Sequence, residues 1–215
     1  MKEVDFKDIL WMPVDIPKFN RCQELINDFK IDFNGSIKNS DYDVRGQLFL
    51  KKSENHSIAT PKDDLTSSQL AVMEYCKKYL PFTDLINFKI HHIENRGMKM
   101  HYDFSPKNNN FSPPPELWDH VLDHEPMGFR MVVHGAKSGD IGIETPNGEV
   151  VIPVMPEDTD WYSISHSGTL HGTPPHVVNL EDRYVLFVNG WVNTEQHKEL
   201  INRSLDKYSD YIVKK

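Results

Sequence analysis

His101 and Asp103 stand one residue apart in the run KMHYDF, and an imidazole beside a carboxylate is the start of a metal site. The segment from Met98 to Phe104 is expected as a strand. Side chains alternate along a strand, so both groups would point to one face. A histidine from a distant strand would complete the 2-His-1-carboxylate arrangement, which leaves positions open on iron(II) for oxygen chemistry. On its own the pair is weak, because a solvated strand face explains it equally well.

The downstream stretch SHSGTLHGTPPHVVNLEDRYVLFVNGWV adds His166, His171 and His176, and its last strand begins at Arg183. An arginine entering a barrel beside a metal can grip a carboxylate through paired N–H bonds. His171, followed by Gly172, is taken as the distal ligand. His176 and then His166 remain as alternatives, with surface positions or hydrogen bonds to a ligand as their ordinary explanation.

These residues need strands to hold them. INFKIHHI is expected as a strand, Glu94–Gly97 as a turn and Met98 to Phe104 as the returning strand. GFRMVVHGA, DIGIET, EVVIPVM, WYSIS and RYVLFVNGWV follow, each rich in β-branched or aromatic residues and bounded by turn formers. Before them, Asp15 and Pro17 can open a helix carrying Phe19, Cys22, Leu25, Ile26 and Phe29. Gly46 to Lys52 alternates as a strand. Thr66 and Gln69 form a capping-box pattern ahead of Leu70, Met73, Cys76 and Leu80. Leu200, Ile201, Leu205, Tyr208 and Ile212 recur on a helical period. The expected fold is mainly β: a sandwich or barrel core with N-terminal helices and a C-terminal helix packed outside. One domain is expected over 1–215, with mixed support in 1–85, the β core in 86–193 and the final helix in 194–215.

Bulk properties narrow the function classes. The chain has 215 residues, 38% hydrophobic and 26% charged, enough to bury a core. Its net charge of -8 comes without a basic stripe and argues against a nucleic-acid partner. Cys22 and Cys76 are too few for a disulfide framework and fit a reducing compartment. The N-terminal run lacks signal-peptide character, and no segment approaches the ~18 consecutive apolar residues of a membrane span. A soluble cytoplasmic protein is expected.

His101-Tyr102-Asp103, a distal His171-Gly172 and Arg183 opening the last strand together resemble the iron(II)- and 2-oxoglutarate-dependent oxygenases over residues 86–193. His171, Asn179, Arg183 and Trp191 look most like the aspartyl/asparaginyl β-hydroxylase and proline-hydroxylase-like branch, which the early WMPVDIPKF segment also fits. The resemblance implies a double-stranded β-helix (jelly-roll, cupin-like) core. It implies that His101, Asp103 and the distal histidine hold Fe(2+), and that Arg183 binds the far carboxylate of 2-oxoglutarate. Arg130 would help hold the co-substrate or the substrate. Co-substrate and O2 would then be spent on hydroxylating an aliphatic C–H, with release of succinate and CO2. Aspartyl β-hydroxylases proper lack the carboxylate that Asp103 supplies, and its presence also argues against a halogenase.

The substrate expected is a small amino-acid-like molecule or a peptide residue. The other class considered is a metal-binding cupin-like barrel without oxygenase activity, a ligand-binding protein or isomerase, which needs no arginine at the start of the last strand. Among the remaining candidates, Tyr102 and Trp161 read as core aromatics, as does Tyr162, while Lys99 reads as a solvated strand end. One of His91 and His92 must point inward, as a core or ligand-supporting group. His134 reads as a strand-end cap, and Asn189 shares the face of Arg183. The proline-rich loop from Ser105 to Gly128, with Trp118, is placed to act as a lid.

Overall fold

The computed structural model describes residues 8–29, 44–53, 56–59, 62–93, 99–101, 126–137, 141–164, 169–174, 177 and 182–215. In chain order the elements are β1 (Ile9–Pro13), α1 (Cys22–Asn27), β2 (Val44–Ser53), β3 (His56–Ala59), α2 (Ser67–Tyr79), β4 (Phe82–Ile93), β5 (Pro126–His134), β6 (Gly142–Glu144), β7 (Val150–Val151), β8 (Trp161–Ile164), β9 (His171–Gly172), β10 (Arg183–Val192), α3 (Thr194–Tyr208) and β11 (Val213–Lys214).

β10 organises the rest. A strand covered on both faces reads as a nearly continuous apolar run, and RYVLFVNGWV does so. It pairs antiparallel with β4 on one side and β5 on the other. The large sheet has the order β11-β1-β8-β5-β10-β4-β2-β3, and a small sheet has the order β7-β6-β9. A two-way backbone bridge between His101 and His171 extends the small sheet by one residue pair.

The period of two sorts side chains onto two surfaces. Phe88, Ile90, Phe129, Met131, Trp161, Leu186 and Val188 face outward, where they pack with Leu25 of α1, Val72 and Cys76 of α2 and Leu200 of α3. α2 starts where the capping box puts it: the Thr66 side chain accepts from the Gln69 N–H, and Gln69 reaches back to the Thr66 N–H. Trp11, Val132, Tyr162 and Ile164 face inward and pack against Ile143 of the small sheet. Helices therefore cover one face of the large sheet, and the small sheet covers the other.

Several expectations change. The expected strand EVVIPVM shrinks to the two residues of β7; Pro153 and Pro156 have no N–H to continue a ladder. The helix expected from Pro17 begins only at Cys22. The large sheet recruits β1, β2 and β3 from the segment read as support and β11 from beyond the last helix, so its strands extend outside 86–193. Of the expected Met98 to Phe104 strand, only 99–101 is described, and the lid expected from Ser105 to Gly128 lies almost wholly outside the described residues. No described helix is long and apolar enough to cross a membrane.

Candidate metal and anion site

His101 and His171 face each other across the end of the small sheet. His101 N–H donates to the His171 carbonyl at 2.8 Å, and His171 N–H donates back at 3.0 Å. Residues paired directly across antiparallel strands project to the same side. The two rings lie with their centroids 4.7 Å apart. His171 is buried and His101 partly so.

Each ring is oriented by its own chain. His101 Nδ1 lies 2.8 Å from the Lys99 carbonyl oxygen, and His171 Nδ1 lies 3.0 Å from that of Thr169. A carbonyl oxygen only accepts, so both Nδ1 atoms carry the hydrogen and both Nε2 atoms carry the lone pair. Backbone carbonyls fix metal-binding histidines in this way. The donor set fits a divalent ion that accepts imidazole nitrogen, iron(II) among them.

Both histidines line a cavity between the sheets with about 380 Å³ of empty space, open mouth included. Ile93, Ile141, Ile164, Val185 and Phe187 supply apolar wall, and Tyr162, Thr173, Arg130 and Arg183 supply polar groups.

Arg183, which lines this cavity, packs closely against the glycine that follows β5. Gly135 has φ +95°, and a Cβ there would come within 2.6 Å of Arg183 Cβ and 2.9 Å of the Asp182 carbonyl oxygen. Only glycine permits both the conformation and the approach. Burial lowers the Arg183 pKa to about 10, which leaves it a cation at neutral pH.

Arg130 is 1% exposed and tightly held. Its Nη1 donates to Asn189 Oδ1 at 3.0 Å and to the Phe129 carbonyl at 3.3 Å. Its guanidinium lies over the Phe187 ring, 4.4 Å from the centroid, a favourable cation–π arrangement. Asn189 thus reaches the cavity through Arg130.

The structure brings His101, His171, Arg130 and Arg183 together around one cavity. Asp103, the third expected ligand, lies outside the described residues, as do Tyr102, Trp118, His166, His176 and Asn179. Among the described residues, no group of three His, Cys, Asp or Glu side chains converges.

The inward histidine of the β4 pair is His91, which packs 4.5 Å from Phe187, ring centroid to ring centroid. His92 faces the other way, stacked on Tyr184 at 4.5 Å with its Nε2 3.3 Å from Asp182. His134 is exposed and meets Tyr184 edge-on. Trp161 is a core aromatic on the helix side. Tyr162 is buried with Trp11 and Ile143, as its core reading expects, and it also lines the cavity. Alternation from Arg183 through Val185 and Phe187 was the signal for the cavity wall. Tyr162 carried no such signal, because its face depends on pairing with Arg130.

No family model matches the chain, and no curated protein matches it. Solved structures give distant likenesses. A prolyl-4-hydroxylase of Pseudomonas putida is 10% identical, over 80% of this chain and 82% of that one, with a TM-score of 0.45. An oxidoreductase of the 2OG-Fe(II) oxygenase family from Burkholderia pseudomallei is 8% identical over 80% of each chain, with a TM-score of 0.47. A viral collagen prolyl hydroxylase from Paramecium Bursaria Chlorella virus-1 is 12% identical, over 89% of this chain and 95% of that one, at 0.44. Likenesses this slight carry neither a fold nor a function.

Proposed function

We propose that this protein is an iron(II)- and 2-oxoglutarate-dependent oxygenase that hydroxylates an aliphatic carbon of a small amino-acid-like molecule or a peptide residue. The observation that carries the reading is the His101–His171 pair, with both Nδ1 atoms donating to backbone carbonyls in a cavity that Arg183 also lines.

Strand order supports a double-stranded β-helix. From β4 onward the chain alternates between sheets: β4 large, His101 small, β5 large, β6 and β7 small, β8 large, β9 small, β10 large. The histidines thus project from the small sheet and Arg183 from the large one. In this reading His101, His171 and Asp103 hold the iron, and Arg183 takes the far carboxylate of 2-oxoglutarate through its N–H fork. Iron with 2-oxoglutarate and O2 would supply the oxidising power for C–H hydroxylation, O2 being the oxidant. The chain's own groups do the rest: the two carbonyls keep Nε2 lone pairs turned one way, and the apolar walls exclude water.

The test is direct. Protein mixed anaerobically with iron(II) and 2-oxoglutarate should develop a weak visible charge-transfer band, and in air it should form succinate. Neither band nor succinate would sink the proposal. His101→Ala and His171→Ala should lose iron. Arg183→Ala should keep iron and lose the co-substrate.

A further inference from the structure

Arg183 turns into the cavity, and its chain neighbours turn the other way, because successive side chains of a strand point to opposite faces. Tyr184 packs with the helix-side cluster. There it stands between two histidines, with His92 of β4 opposite it on one side and His134 of β5 on the other. The His92 ring lies flat on the Tyr184 ring, 4.5 Å between centroids and 9° between planes. Phe29, just beyond α1, meets both rings edge-on. His92 Nε2 lies 3.3 Å from Asp182 Oδ2. The ring side chain is 10% exposed and held in place, while the carboxylate, 61% exposed, has room to turn.

The backbone joins this pair to the cavity. A Cβ on Gly135 would lie 2.9 Å from the Asp182 carbonyl oxygen and 2.6 Å from Arg183 Cβ, so one contact pins both residues. Asp182 thereby places a carboxylate one residue from the guanidinium that takes 2-oxoglutarate under the proposed function. An uncompensated negative charge at that point opposes a dianion, and a protonated imidazole beside it offsets the charge. Other groups surround the ring. Arg45 of β2 stands opposite His92 in register, Tyr184 lies under it, and His134 stands beyond Tyr184. Phe29 brings no charge, and Asp28 next to it accepts from Ser68 of α2. Among these, Asp182 is the carboxylate that meets the ring.

We infer that His92 and Asp182 form a positioning pair for the Arg183 subsite, and that protonation of His92 strengthens 2-oxoglutarate binding by neutralising the carboxylate beside Arg183. This rests on the oxygenase reading above. The ring acts through Asp182, and Asp182 acts through its charge and the backbone it shares with Arg183. Carboxyl groups titrate at about pH 4, so 2-oxoglutarate stays a dianion above about pH 6 and the pH dependence belongs to the protein.

The experiment uses the full chain under nitrogen, with iron(II) shown to be saturating at each pH by a separate titration. Protonation of His101 and His171 then does not enter. The dissociation constant of 2-oxoglutarate is read from the charge-transfer band. Wild-type affinity should weaken by about threefold or more from about pH 6 to about pH 8, the scale of an exposed ion pair over the span in which histidine changes charge. Asp182→Asn should remove the dependence and bind at the tight, low-pH level throughout. His92→Gln should also remove it but bind at the weak, high-pH level throughout. A purely structural role would weaken both variants alike. The double variant should match Asp182→Asn, and His134→Gln should keep the wild-type profile. If His92→Gln fails to fold, Asp182→Asn at its exposed position decides the matter alone.

The inference is overturned if wild-type affinity is flat across this range, or if Asp182→Asn weakens binding. It is also overturned if the dependence survives Asp182→Asn, which would place the titrating group elsewhere, with His91 beside Phe187 the first candidate. Failure of wild-type protein to bind 2-oxoglutarate at any pH defeats the oxygenase reading itself and this inference with it.

Discussion

Gly135 shows how one backbone position controls a charged side chain across the sheet. Its left-handed φ and the 2.6 Å approach of Arg183 Cβ leave no room for a methyl group. Gly135→Ala adds backbone strain on the order of 1–3 kcal/mol. The melting temperature should fall by several degrees. Co-substrate affinity should fall as well, because relief of the clash moves Arg183. A calorimetric scan and an anaerobic 2-oxoglutarate titration check both, and an alanine variant with unchanged melting and affinity would count against this account. Arg183 itself sits in an opposed balance. Burial holds its pKa at about 10, below the ordinary value of 12.5. Between those values the unfolded chain binds more protons, so at neutral pH the buried charge opposes folding. Under the proposed function, the far carboxylate of 2-oxoglutarate would offset part of that cost.

At the scale of elements, α2 is the piece most fully specified by local chemistry. Thr66 and Gln69 satisfy each other's backbone donors, and Ser68 Oγ donates to Asp28 at 2.6 Å, which ties α2 to the end of α1. Thr66→Ala removes the cap and should cost about 1 kcal/mol. A chain of this size would then melt roughly 2–4 °C lower. α2 packs on the sheet face opposite the cavity. Co-substrate affinity should therefore stay at the wild-type value, and a loss of affinity matching the loss of stability would show the two faces to be coupled. Elsewhere pairing, not propensity, made the elements. β9 is two residues long and exists through its bonds to β6 and to His101. β1 lies between β8 and β11, strands far from it in sequence.

For the whole molecule, acid stability depends on a histidine outside the cavity. His197 on α3 is buried edge-on against Phe129, with a ring-centroid distance of 6.2 Å. Burial depresses its pKa from 6.5 to about 4. Between those values the unfolded state binds more protons than the folded state. Stability is therefore intact above about pH 6.5 and falls as pH drops toward 4. The shift corresponds to about 3 kcal/mol at most. Melting curves from pH 7 to pH 4 should show the decline, and His197→Gln should flatten it. An equal slope in the variant would place the acid sensitivity elsewhere.

The sequence by itself determined the elements whose signal is local. A capping box opened α2, a dense apolar run made β10 a doubly covered strand, and Arg183 was legible as the cation at its start. His101 was legible as candidate chemistry because Asp103 stands one residue away in the sequence, the spacing that a strand would turn to one face. Tertiary structure decided what local pattern does not encode. Backbone pairing brings His171 opposite His101, because register is a property of two strands and not of one, while His166 and His176 lie outside the described residues. The inward turn of His91 rather than His92, the place of Tyr162 in the cavity wall and the separate levels of Arg130 and Arg183 follow from the same cause. Each depends on which residue stands opposite on a neighbouring strand, a hydrogen-bonding relation between segments far apart in the chain.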